Sequence, residues 1–120
     1  GVVDLAVMTD GGGGFADAQL GAMYYGLPLT DSIIARTNLP MIRKQEILNA
    51  GKVMGVRNIY FMEQPDDFYS TEIKPYISGQ NWDIEYVENE WINYWLNVNM
   101  ISSLPCCLML DSMVIIRRLH

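Results

Sequence analysis

A chain of 120 residues suffices for one small domain with its own core and excludes two. Half of it is hydrophobic and 18% is charged, which is a globular rather than a disordered composition. The net charge is −6, and Lys and Arg cluster only at Arg43–Lys44 and Arg117–Arg118, which argues against a nucleic-acid partner.

The chain opens on Val2, Val3, Leu5, Ala6, Val7 and Met8, a nearly continuous apolar run rich in β-branched residues. Such a run predicts a strand over 2–8, buried on both faces as in a parallel sheet. Thr9 and Asp10 break the run, and Gly11–Gly14 follow. Ligands of open α/β sheets bind at the carboxyl ends of strands, so Thr9–Gly14 is read as one wall of a site. The alternative is a flexible surface loop. Phe15 to Thr37 reads as a long connection, with a turn at Tyr24-Tyr25-Gly26-Leu27-Pro28 and a cap for a short helical piece at Thr30-Asp31-Ser32. A connection of that length is uncommon in a compact domain and usually functional, such as a lid. Its tyrosines either line a site or pack.

Asn38-Leu39-Pro40 reads as a helix start, with Asn as N-cap and Pro in the first turn. The helix is expected over 40–54, with Gly55 at the C-terminal cap and Ile47, Ala50, Gly51 and Met54 as the apolar face. Arg43 falls on that face, one turn before Ile47. It either pairs with Glu46 or points at a ligand. Ile59-Tyr60-Phe61-Met62 predicts a second strand, and the βαβ unit makes it parallel to the first. Its carboxyl end, Glu63-Gln64-Pro65-Asp66-Asp67, then shares an edge with Thr9 and Asp10. Topology alone brings Asp10, Arg43 and Asp66 or Asp67 towards one place.

Ile84, Val87, Trp91, Tyr94, Trp95 and Val98 keep helical spacing and predict an amphipathic helix over 84–99. Its aromatic stripe reads as core. Cys106–Leu110 and Met113–Ile116 each read as a candidate strand. Residues 98–116 are largely apolar, but Pro105 and Asp111 interrupt them, and no membrane span is expected. Cys106 and Cys107 are adjacent and show no zinc spacing. They read as buried apolar residues and point weakly to a reducing, cytoplasmic setting.

Gly11-x-Gly13-x-x-Ala16 matches a dinucleotide fingerprint on its face. That fingerprint needs a helix at once and, about 20 residues on, an acid closing the next strand. Here that distance lands at Thr30-Asp31, so NAD is a minor reading. No Gly-Lys-Ser/Thr occurs, and His120 is the only histidine, so P-loop chemistry and histidine-activated nucleophiles are set aside.

Taken in order, Asp4–Met8 with Thr9-Asp10-Gly11, Ile42-Arg43-Lys44-Gln45-Glu46, Ala50-Gly51-Lys52-Val53-Met54-Gly55-Val56 and Ile59–Met62 resemble the PIG-L (LmbE-like) deacetylase family over roughly residues 2–70. The resemblance implies a Rossmann-like layered α/β domain with a parallel sheet. It implies a zinc-dependent hydrolase that removes the acetyl group from N-acetylglucosamine-type sugars. In the family the metal and general base come from a His-Pro-Asp-Asp sequence after an earlier strand and from a later histidine. Gln64-Pro65-Asp66-Asp67 looks similar, but it lacks the histidine and follows the wrong strand. The chain therefore resembles the middle of such an enzyme, one partial domain lacking its first strand and leaving an open edge beside 2–8. It is expected to hold no zinc by itself, because one histidine and scattered aspartates are poor ligands. By the same resemblance Arg43, Asp66, Asp10, Thr9 and Gly11 would position a small N-acetylated sugar or sugar conjugate, with Arg43 bonding sugar hydroxyls or a phosphate. A non-catalytic sugar-binding or interaction module is the second reading.

Overall fold

The computed structural model describes residues 1–67 and 71–97, and the backbone of the strands at 106–110 and 113–118. The fold is mixed α/β. Strand β1 (Val2–Thr9) leads through a 3-10 turn (Gly14–Asp17) to α1 (Gln19–Tyr25), α2 (Ser32–Met54), β2 (Asn58–Gln64), α3 (Lys74–Ile77), α4 (Ile84–Asn97), β3 (Cys106–Leu110) and β4 (Met113–Arg118). The sheet order is β2-β1-β4-β3.

β1 and β2 are parallel, in register from Asp4 opposite Asn58 to Val7 opposite Phe61. The register then slips, and Thr9 pairs with Gln64. β2 thus carries one extra residue there, a β-bulge. Side chains alternate across a strand. Ala6 and Met62 pack with Val87 and Tyr94 of α4, with Met8, Tyr60 and Trp91 around them. Ile59, of opposite parity to Met62, meets α2 instead: a Cβ built at Gly51 would stand 2.6 Å from Ile59 Cδ1. A larger residue at position 51 would force the Ile59 side chain to move.

The expected open edge beside β1 is occupied. β4 pairs antiparallel along it, from Val2 opposite Arg118 to Val7 opposite Met113. β1 is therefore a central strand. The apolar run after residue 98 supplies these strands, so residues 106–110 and 113–118 form no helical span. Residues 98 and 99 of the helix expected over 84–99, the side chains of Cys106 and Cys107, and His120 lie outside the described residues. Among the described residues no helix is long and apolar enough to cross a membrane.

The crossover helix starts earlier than expected. Asp31, not Asn38, is its N-cap, and Asp31 Oδ1 accepts from the Ile33 and Ile34 amides at 3.0 and 3.1 Å. Pro40 sits inside the helix, where it withholds the amide that would bond Arg36. The Asn38 side chain bonds back to the Ile34 carbonyl at 2.8 Å. The helix survives its proline because it is held on both sides of it. Ala35 and Leu39 are fully buried with Ala18 and Leu29, flanked by Phe15, Ala22 and Ile42. The stretch Phe15–Thr37 is thus a folded subunit of the core rather than a lid, and Tyr24 and Tyr25 do not line the cleft. The buried row on α2 runs Ala35, Leu39, Gly51, with Arg43 and Ile47 half-buried between. Ala50 and Met54, expected on the inner face, are exposed. Gly55 in the left-handed conformation (φ 70°) ends α2, as its cap reading predicts.

Candidate functional site

At the carboxyl edge of β1 and β2 lies a cleft of about 220 Å³. Thr9, Asp10 and Gly11 line it from the end of β1, Arg43, Lys44 and Ile47 from α2, and Phe61, Glu63 and Asp66 from β2 and its exit loop. Val7 and Gly14 complete the wall. The residues singled out from sequence, Thr9, Asp10, Gly11, Arg43 and Asp66, stand together here. Asp67, the alternative to Asp66, is exposed and outside the lining.

The two strand-exit loops are locked by exchanged carboxylates. Asp10 Oδ1 accepts from the Gly12 amide at 2.8 Å and from the Asp66 amide at 3.2 Å. Asp66 Oδ2 accepts in return from the Gly13 amide at 3.2 Å. The Asp10 amide bonds the Gln64 carbonyl at 2.9 Å, and the Arg36 guanidinium donates to the Asp66 carbonyl at 3.1 Å. Charged acceptors on backbone amides form strong hydrogen bonds, so these loops are preset rather than slack. Gly11 must be glycine on two counts. Its φ is +76°, and a Cβ there would stand 3.0 Å from Arg43 Cγ.

Arg43 makes the expected pair with Glu46 and also lines the cleft. Its Nη1 pairs with Glu46 Oε2 at 3.1 Å, and its stem lies in the cleft wall against Gly11. Tyr25 donates to the other oxygen of Glu46 at 3.2 Å. Partial burial first, and then this bond to Glu46, raise the Tyr25 pKa above its ordinary 10.0.

Lys44, Glu63 and Phe61 belong to the cleft but were not singled out from the sequence. Lys44 adjoins Arg43, and helical geometry gave it no claim to the inner face. It reaches in by its length, 4.8 Å above the Phe61 ring and bonded to Glu63. Glu63 is placed by the bulge, with φ at +52°. No residue type announced that conformation, because glycine or asparagine is its ordinary occupant.

The cleft does not suit a dinucleotide. The amides of Gly12 and Gly13, which such a loop would offer a pyrophosphate, are taken by carboxylates. Nor do its donors fit zinc. Among the described residues no three His, Cys, Asp or Glu side chains converge, and Asp10 and Asp66 already accept backbone amides. What the site offers is an aromatic and aliphatic floor of Phe61, Ile47 and Val7, rimmed by paired charges and the Thr9 hydroxyl.

No family model, curated protein or solved structure matches the chain.

Proposed function

We propose that this chain is the substrate-positioning part of a Rossmann-like PIG-L/LmbE-type hydrolase domain, and that its cleft holds an N-acetylglucosamine-type sugar. The observation that supports the reading is the convergence of Thr9, Asp10, Gly11, Arg43 and Asp66 around one cleft at the carboxyl edge of two parallel strands. In this reading Arg43 donates to sugar hydroxyls, Thr9 and Asp66 bond the ring substituents, and Asp10 and the glycine backbone shape the rim. Family deacetylases use zinc to polarise the acetyl carbonyl, but the described residues offer no fitting donor set, so the chain by itself binds without hydrolysing. A non-catalytic sugar-binding module shares this cleft and differs only in what the complete protein does.

Saturation-transfer NMR with N-acetylglucosamine and, separately, NAD tests the reading. Transfer from the sugar alone is expected, and Arg43→Ala is expected to weaken it about tenfold, roughly 1.4 kcal/mol. No transfer from the sugar would end the sugar reading, and transfer from NAD would revive the dinucleotide one. Acetate release on adding zinc would show that the chain is catalytic alone.

A further inference from the structure

The cleft answers each of its anion-attracting features with a carboxylate. Arg43 is paired with Glu46 and Lys44 with Glu63, while the Gly12 and Gly13 amides are filled by Asp10 and Asp66. The charged groups in the lining are Arg43 and Lys44 against Asp10, Glu63 and Asp66, a balance of one negative charge.

These carboxylates do not play equal parts. Asp10 and Asp66 hold the two loops together, and Glu46 stands outside the lining. Glu63 ties no loop. Among the described residues its partner is the side chain of Lys44, and the Glu63 and Lys44 side chains are well exposed, at 60% and 45%. An ion pair that open stabilises a fold very little. Yet Glu63 occupies a left-handed bulge position (φ 52°) where a side chain strains the backbone and glycine would not. A strained conformation kept for so small a structural return points to a role in the cleft.

We propose that Glu63, clasped by Lys44, is an anion-excluding specificity residue. It keeps the cleft for neutral polyhydroxyl ligands and turns away their phosphorylated or carboxylated counterparts. The neutral-ligand half rests on the sugar reading above; the exclusion of anions does not. An incoming phosphate finds each cation of the lining already paired with a carboxylate. With Glu63 neutralised, Lys44 becomes an unpaired ammonium beside Arg43, and the cleft balance shifts from one negative to neutral with a cation exposed.

The test uses backbone amide NMR shifts of Thr9, Gly11 and Lys44 in wild type, Glu63→Gln and Glu63→Gly. The probes are inorganic phosphate, N-acetylglucosamine and N-acetylglucosamine 6-phosphate. Phosphate is expected to leave the wild-type cleft unshifted, and to bind both variants at least about tenfold more tightly. The preference for neutral over phosphorylated sugar is expected to fall by a similar factor. Glu63→Gly also relieves the left-handed backbone, so its melting temperature is expected to match or exceed that of wild type, which separates a specificity role from a structural one. Phosphate binding wild type as well as Glu63→Gln would overturn the proposal, as would an unfolded Glu63→Gly. If neither sugar binds any form, the sugar reading falls, and the inorganic phosphate arm still decides the role of Glu63.

Discussion

β1 carries an aspartate cluster at each end, and the two are built differently. At the amino end Asp4 is 1% exposed, and among the described residues its carboxylate is bound by side chains. Arg57 grips it with two bonds, Nε to Oδ1 at 3.0 Å and Nη2 to Oδ2 at 2.6 Å. Asn58 Nδ2 and the Tyr94 hydroxyl add bonds of 3.2 Å each. That bond to Asp4 is the first cause of the raised Arg57 pKa. At the carboxyl end Asp10 is half-buried, bonds backbone amides, and opens on the cleft. One carboxylate joins β1, the start of β2 and α4. The other shapes a rim and leaves the cleft open. The difference teaches that burial with several side-chain partners is the mark of architecture here, while partial burial with backbone partners is the mark of a preset cleft edge.

The largest effect that would test this contrast comes from Asp4→Ala. It strips Arg57, Asn58 and Tyr94 of a shared acceptor next to the core. Breaking one side of a buried ionic cluster costs about 3–5 kcal/mol, and the exposure of Arg57 places the expected loss near the low end, about 3 kcal/mol. Urea unfolding measures it. A loss below about 1 kcal/mol would mean that the amino-end cluster is decorative and the contrast is unfounded.

Asp10→Ala comes next. Two backbone amides lose a charged acceptor, as at an N-cap, for an expected cost of about 1–2 kcal/mol. The sharper readout is local. Amide exchange at Gly12 and Asp66 should accelerate while exchange along β1 stays slow. Uniform acceleration over the sheet would instead make Asp10 a fold residue like Asp4.

The carboxyl edge was more legible in the sequence than the amino end. An apolar run broken by Thr-Asp-Gly, a capped crossover and a second run place Asp10, Arg43 and Asp66 by topology, and topology needs only period and polarity. Asp4 interrupts the apolar run of β1, but its partners are 53 or more residues away, and no local pattern names them. The start of α2 was misread because Pro40 imitates a first-turn proline. What tolerates it mid-helix is burial of Ala35 and Leu39 by α1 and its flanks, a tertiary effect that outweighs propensity. Glu63 was invisible for the opposite reason, since a bulge imposed by strand pairing gave its backbone a conformation that its residue type does not predict. The pairing of β1 with β4 likewise came from long-range register rather than from either strand's own composition.

The smallest effect concerns the wall behind Arg43, where the Glu46 carboxylate is shared by Arg43 and Tyr25. The phenol of Tyr25 is neutral when protonated, and both burial and the negative Glu46 oppose its ionisation, so its folded pKa lies above the ordinary 10.0. A group whose pKa is raised on folding stabilises the fold below its unfolded pKa, and that contribution is lost as pH rises through the folded value. The contribution is therefore fully present at neutral pH and fades only above about pH 10. Tyr25 is 41% exposed, so the effect on stability is small and the spectroscopic one is the better test. Ultraviolet titration should show Tyr25 ionising late, a contribution that Tyr25→Phe removes from the profile. Glu46→Gln should move it down towards 10, because the charge that opposes the phenolate is gone while burial remains. The same substitution releases Arg43 into the cleft without touching its lining, so sugar affinity should hold or rise. A fall in sugar affinity with Glu46→Gln would mean that Arg43 works only while Glu46 orients it, and the Arg43–Glu46 pair would then belong to the cleft edge as a unit.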